Sequence, residues 1–354
     1  MKKRVLYIGM IMMMAIPFMA CGKNPVAETE QSSNESAVAD ENAENTVEDS
    51  ERKEAEIVLR LGHINAENDP THDQAKFFAE KVSEKTDGRV KVDIYPSATL
   101  GDTRELIEGL GIGTVEIVID GFGTVETYTS VASLDAMPFL YRDYDHFMKV
   151  WQGDVGKELC DAAGSESGLK IFGGTYRGAR VITSTKEIHT VEDMKGLKIR
   201  VPNLDVYIKT FQGLGATPTP MAMTEVLTGI QQGTVEGQEN PTILSYNFGL
   251  YDVCDYLIRT NHMYSANVFM MSDSYFSGLE EDVQQAILEA GQEAADYTSQ
   301  VVANSEEEYF SKWEEQGVEI IDPEIEGFKK ACDGLLETEF PNLVELGKRI
   351  QEVQ

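Results

Sequence analysis

From Glu56 onward the chain alternates between two hydrophobic periods. Ile57-Val58-Leu59-Arg60-Leu61 is a short apolar run and predicts a buried strand. Asn68-Asp69-Pro70 opens a helix in which Ala75, Phe78, Ala79 and Val82 fall on one face, and Asp87-Gly88 ends it. Val90, Val92 and Ile94 alternate as a second strand, followed by a helix over Thr103 to Ile112 and a strand over Val115 to Ile119. Strand-helix-strand order of this kind predicts an α/β fold with a parallel sheet. Downstream, strands are predicted at Leu169–Phe172, Val181–Thr183, Lys198–Val201 and Val268–Met271. Helices are predicted at Val206–Gly213, Thr224–Gly233, Glu280 to Trp313 and Glu324 to Val353. The stretch from Glu280 to Trp313 has no Pro and only Gly291 as a breaker, so it reads as one helix long enough to span a two-lobed body.

One segment recurs. Residues Glu105 to Glu116 align without a gap on Glu225 to Glu236, an offset of 120, with six of twelve pairs identical and three more exchanging aliphatic residues. Each copy reads as a helix stopped by Gly, then a strand, since Gly takes the left-handed conformation at a helix end cheaply. Shared helix-stop chemistry is the alternative, because Gly123-Thr124-Val125-Glu126 repeats the tetrapeptide alone. A match this long favours two lobes built alike, and a cleft between lobes is where small ligands bind.

The N-terminus has a different texture. Lys2-Lys3-Arg4 precedes an uncharged, mostly apolar run from Val5 to Ala20, too short for a comfortable membrane helix and read as a secretory signal peptide over 1–20. Ala20-Cys21-Gly22 resembles the lipobox of bacterial lipoproteins, so Cys21 is the candidate for lipidation; cleavage nearby with Cys21 incidental is the alternative. Gly22 to Ala55 holds ten acidic and three basic residues and no aromatic, and is expected to be a disordered acidic tether. These features predict an extracytoplasmic protein, lipid-anchored to the cell membrane.

The 354 residues carry a formal charge of −31, which excludes general nucleic-acid binding through neutralised phosphates. The part from Glu56 holds 24 basic against 51 acidic residues, a net of −27. Cys160, Cys254 and Cys332 are far apart and form no CxxC, so buried thiols are expected rather than a metal clip. No GxSxG, HExxH or P-loop occurs, and Gly109-Leu110-Gly111-Ile112-Gly113 lacks the dinucleotide-binding spacing. Neither a catalytic residue, a metal site nor a cofactor is therefore assigned.

Three blocks carry a resemblance. Leu197-Lys198-Ile199-Arg200-Val201-Pro202, Leu214-Gly215-Ala216-Thr217-Pro218 and Gly237-Gln238-Glu239-Asn240-Pro241 together look like the solute-binding proteins of tripartite ATP-independent periplasmic (TRAP) transporters, the family of C4-dicarboxylate and sialic-acid binding proteins. Met137-Pro138-Phe139-Leu140-Tyr141 also fits, and the likeness runs over nearly all of the chain from Glu56. The resemblance implies a two-lobed periplasmic-binding-protein-like α/β fold with crossing connections and a long helix spanning both lobes. It implies lobe I at 56–177 plus about 266–305 and lobe II at 178–265 plus about 306–354. It further implies a binding protein, not an enzyme, that closes on an organic acid and delivers it to small and large membrane permease subunits driven by sodium. The chain is expected to act as a monomer.

The resemblance assigns the carboxylate clamp to Arg200, with Arg180 and Asn240 assisting. The residues themselves support it: Arg200 interrupts an apolar strand, and a buried guanidinium needs an anion. An internal salt bridge is the alternative, Arg177 competes with Arg180, and Asn240 before Pro241 fits a helix N-cap equally. At the offset of 120, Asn240 corresponds to Asp120, which would then face it across the cleft, accept ligand hydroxyls and favour a hydroxylated monoacid such as a sugar acid; a solvated Asp at a loop start is the alternative. His63 closes the first strand at a similar level and joins the candidates. A C4-dicarboxylate or sialic-acid ligand, a binding protein for an ATP-driven transporter, a surface hydrolase and a sensory lipoprotein remain as other readings.

Overall fold

The computed structural model describes residues 55–354; the signal segment, Cys21 and nearly all of the tether lie outside the described residues. Strand β1 (Ile57–Gly62), helix α1 (Pro70–Lys85), strand β2 (Val90–Tyr95), helix α2 (Thr103–Ile112) and strand β3 (Ile117–Gly121) come first. The expected face of α1 is the one that packs: Ala75, Phe78 and Val82 are buried over Leu59 and Leu61 of β1, and Asp69 caps the helix by accepting from the Thr71 backbone N–H. Helices α3 (Tyr144–Trp151) and α4 (Asp154–Ser167) follow, neither of them predicted from the sequence.

Strand β4 (Leu169–Ser184) and strand β8 (Tyr256–Ser272) are 16 and 17 residues long. Each covers about 50 Å. Between them come β5 (Lys198–Val201), α5 (Asp205–Gly213), β6 (Thr217–Pro220), α6 (Val226–Gln231), β7 (Gly237–Pro241) and α7 (Thr242–Asn247). The sheet order is β2-β1-β3-β8-β4-β7-β5-β6. Neighbours are parallel within each half, β2-β1-β3 and β7-β5-β6, but β3 meets β8, β8 meets β4 and β4 meets β7 antiparallel. The sheet is thus mixed, and the expectation of a parallel sheet holds only inside the halves. The sequence predicts only short fragments of the crossing strands, because glycine interrupts β4. Gly173 and Gly178 adopt φ of 69° and 100°, and the β4–β8 register shifts between Phe172 and Thr175 and between Tyr176 and Ala179.

Short helix α8 (Asp273–Ser277) leads into α9 (Glu281–Glu315), 35 residues long. Its Val283, Ile287, Ala290 and Ala294 join the core over β1 and β2, whereas its Trp313 joins the core around Val181, Val226 and Leu257. One helix therefore belongs to both halves, as the sequence predicted. Strand β9 (Glu319–Ile321) pairs with β8. The helix expected from Glu324 to Val353 is broken into α10 (Ile325–Cys332), α11 (Leu335–Glu339) and α12 (Val344–Glu352), because Gly334 turns left-handed at φ 77° and Pro341 cannot continue a helix. The C-terminal segment touches both halves: Lys209 of α5 pairs with Glu339 at 2.9 Å, and Glu158 of α4 pairs with Arg349 of α12 at 2.6 Å.

Cys254 is buried, and Cys160 and Cys332 are partly so; burial pushes all three thiols up to about 12. Among the described residues no helix is long and apolar enough to cross a membrane.

The approach of α9 to β4 is close enough to test. A Cβ on Gly291 would lie 2.5 Å from the Phe172 ring, which is stacked on Phe269. Gly291→Ala should lower the unfolding free energy by about 1–3 kcal/mol in urea titration despite the better helix propensity. Gly111→Ala, with open space around it, should instead raise stability by about 0.5–1 kcal/mol. Stabilisation by Gly291→Ala would refute tight packing there.

Candidate functional site

The strands of each half end at one crevice, where ligands of α/β sheets collect. Strand β3 ends in Asp120-Gly121, β5 in Arg200-Val201-Pro202, and β7 in Asn240-Pro241. The irregular middle of β4 supplies Arg177 and Arg180. Around them lies a cavity of about 750 Å³ lined from both halves. The internal repeat explains the pairing of its walls. Strands β3 and β7 have bounds offset by 120, Gly113 and Gly233 have φ of 74° and 72°, and Glu116 and Glu236 bond back to Arg60 and Lys198 in the same way. Asp120 and Asn240 both line the cavity from these equivalent places.

Arg200 is buried between Ile199 and Val201, and its only hydrogen bond among the described residues runs from Nε to the Met221 carbonyl at 2.8 Å. No protein carboxylate forms an ion pair with it among the described residues. Burial pushes its guanidinium down to about 10, the Glu239 carboxylate pulling the other way. Arg200 therefore has no internal salt bridge among the described residues.

Arg180 is different. Its Nε donates to Glu239 Oε2 at 2.5 Å and its Nη2 to Oε1 at 2.7 Å, so the guanidinium fork already holds a carboxylate. Nη2 also donates to Asn240 Oδ1 at 2.9 Å, and the guanidinium lies 5.0 Å from the Tyr207 ring centre. Burial opposes the charge of both partners. Their attraction prevails, raising Arg180 and holding Glu239 well below the usual carboxylate range.

Asn240 spends its other end on the Gln238 side chain at 2.7 Å. It does not cap α7: β7 continues through Pro241, which takes the cap position, and the helix begins at Thr242. Asp120 accepts from the Thr103 hydroxyl at 2.6 Å and from the Gly121 N–H at 2.7 Å, and burial raises its pKa. His63 is fully buried and lies outside the cavity lining, with Nε2 3.2 Å from His72 Nδ1. Burial and His72 push it down to about 4.

The cavity thus gathers Arg200, Arg180, Asn240 and Asp120 and leaves His63 behind the wall. It adds residues the sequence did not single out: Asp135, Tyr207 and Ser265. Asp135 is buried, accepts from the Ala266 N–H, and is pushed up to about 8 by burial. Arg177, known from the sequence only as a competitor of Arg180, lines the same cavity. No signal in the local sequence marks Asp135 or Ser265, since neither stands in one of the three motif blocks.

The Arg180–Glu239 pair gives a stability prediction. Its folded carboxyl at about 2 lies below an unfolded value of about 4.3, so its contribution is present above about pH 4.3 and disappears as pH falls toward 2. Glu239→Gln should cost about 3–5 kcal/mol at pH 7 in chemical unfolding, by stranding Arg180, and the difference from the parent should shrink between about pH 4 and pH 2. A pH-independent difference would contradict the ion-pair account.

Residues 61–341 match the model of bacterial extracellular solute-binding protein, family 7 (DctP). The 2,3-diketo-L-gulonate-binding periplasmic protein of Escherichia coli is 32% identical over 302 residues, 84% of this chain and 92% of that protein. Two solved TRAP periplasmic solute-binding proteins align at TM-score 0.80 and 30% identity, each covering 84% of this chain and 99% of the other. One is from Roseobacter denitrificans with bound L-galactonate, the other from Polaromonas with bound D-erythronate. With a family match over most of its folded part, two lobes joined by β4, β8 and α9, and a cavity at their junction, the chain belongs to the DctP family of bacterial extracellular solute-binding proteins, the binding components of TRAP transporters.

Proposed function

We propose that the protein captures a hydroxylated organic acid of the sugar-acid class between its lobes and hands it to a sodium-coupled TRAP permease of small and large membrane subunits. The observation that carries this reading is Arg200: a buried guanidinium that lines the cavity, with no protein carboxylate paired to it among the described residues. A ligand carboxylate docks there through two parallel hydrogen bonds. Arg180, held by Glu239, and the Asn240 amide flank that position, and Asp120 accepts ligand hydroxyls from the opposite wall. Relatives bearing L-galactonate and D-erythronate support the class of ligand.

Binding selects a closed state by hinge motion at the β4–β8 crossing and along α9. The lobes in this reading are 56–177 with about 266–305 and 178–265 with about 306–354, α12 lying back on the first. The chain acts as a monomer, held at the membrane by lipid on Cys21 and spaced from it by the acidic tether. A body of net −27 repels an anion at long range, so capture depends on the local guanidinia rather than on steering.

The clamp is tested by thermal shift with galactonate, erythronate and galacturonate. At a hundred-fold excess over Kd a ligand should stabilise the parent by about 2.7 kcal/mol. Arg200→Met should abolish that shift, since losing one member of a buried charge pair costs about 2–5 kcal/mol of affinity. A ligand-induced shift equal to the parent's would remove Arg200 from the clamp. The anchor is tested separately: Cys21→Ser should move the expressed protein from the membrane and detergent phase to the soluble fraction, and an unchanged membrane fraction would rule the lipid out.

A further inference from the structure

The register shift of β4 between Tyr176 and Ala179 sends backbone donors out of the sheet, and helix α9 receives them. The Tyr176 N–H donates to Ser299 Oγ at 2.9 Å, and Ser299 is itself fixed by donating to the Ala295 carbonyl at 2.7 Å. The Ala179 N–H donates to Glu306 Oε1 at 3.1 Å. The Tyr176 hydroxyl reaches the same carboxylate, 3.0 Å from Oε2. Ser299 and Glu306 stand two turns apart on one face of α9, about 10 Å along the helix. The strand advances by about the same 10 Å from residue 176 to 179, so the helix face matches the segment it grips. From the other strand, the Ala266 N–H of β8 donates to Asp135 at 3.0 Å, so side chains hold the shift on both sides.

We propose that Glu306, with Ser299 beside it on α9, is a positioning residue for the ligand site: it fixes the β4 bulge in the shape that turns Arg177 and Arg180 into one cavity. The proposal rests on that cavity being the organic-acid site. Among the described residues no cation pairs with Glu306, and burial raises its pKa. Packing a helix on a sheet does not call for an unpaired carboxylate at the contact, which is costly to bury. A group with two acceptor oxygens is what the bulge needs, because a backbone N–H and a hydroxyl converge there. Gly178, between the gripped residues, has φ 100°, and a Cβ on it would lie 3.3 Å from Glu306 Oε1. The grip brackets Arg177, and Arg180 directly follows it. A Cβ on Gly121 would lie 2.5 Å from Arg177 Nη1, so the guanidinium is seated against the end of β3, and a shifted bulge would unseat it. Since α9 joins both cores, the same clip fastens the long helix to the strand that carries two of the cleft arginines.

Calorimetric titration with galactonate, erythronate and galacturonate finds the acid the parent binds most tightly. Glu306→Ala should weaken that acid about ten-fold or more, the scale on which losing an orienting partner loosens a site. Glu306→Gln keeps an acceptor for the Ala179 N–H and a partner for the Tyr176 hydroxyl, and should recover most of the affinity. Glu307→Ala, one residue on and exposed, makes the same change of helix composition and should bind as the parent does. Hydrogen exchange without ligand is the second arm. Glu306→Ala should speed exchange across residues 176–180 while the first turns of α9 keep the parent's protection. Parental affinity in Glu306→Ala overturns the proposal, as does equal weakening by Glu306→Ala and Glu306→Gln. Unchanged exchange at the bulge, or faster exchange along the whole of α9, also overturns it. If the parent binds none of the three acids, the reading of the ligand falls, and exchange at the bulge alone then judges the clip.

Discussion

Strands β4 and β8 run side by side through both halves of the sheet, and the groups that meet in the cleft are placed by the irregular middle of that pair. A regular strand puts residues three apart on opposite faces. Arg177 and Arg180 nevertheless line one cavity, because Gly178 at φ 100° and the shift between Tyr176 and Ala179 turn the chain between them. The same crossing lets β3 meet β8 on one side and β7 meet β4 on the other, so equivalent strand ends from the two lobes face a common space.

Burying a cation is costly unless an anion comes with it, and the three cleft arginines meet that constraint in different ways. Arg180 has its anion built in: Glu239 fills the fork at 2.5 and 2.7 Å. Arg200 has only the Met221 carbonyl, and Arg177 has neither hydrogen bond nor ion pair among the described residues. Among the described residues, neither of these two has an anion built in. In a body of net −27 this local arrangement works against the long-range field, which weakens as salt screens it.

Membership of the family was legible because it resides in contiguous blocks around Arg200 and Asn240, and the similarity of the lobes was legible because a gapless offset of 120 survives in α2–β3 and α6–β7. The long helix was legible from an uninterrupted run without Pro. Less could be read where structure depends on distant partners. Helices α3 and α4 escaped notice, and the C-terminal helix was drawn as one piece although Gly334 and Pro341 divide it. The length of β8 was not legible because polar residues between Tyr256 and Asn267 break up its apolar run, although the backbone pairs with β4 through this stretch.

By itself, then, the sequence determined the local periods, the two similar lobes, the exclusion of nucleic acid by charge, and, through a family motif, the arginine to look at. The first three follow from spacing and composition, which are properties of neighbours along the chain. Which arginine is free and which is paired was decided only in three dimensions. Glu239 lies 59 residues from Arg180, Gly121 lies 56 from Arg177, and Ser265 arrives from a third strand. Whether a buried charge has a partner depends on what the fold brings within hydrogen-bond reach, and no pattern along the chain records that distance.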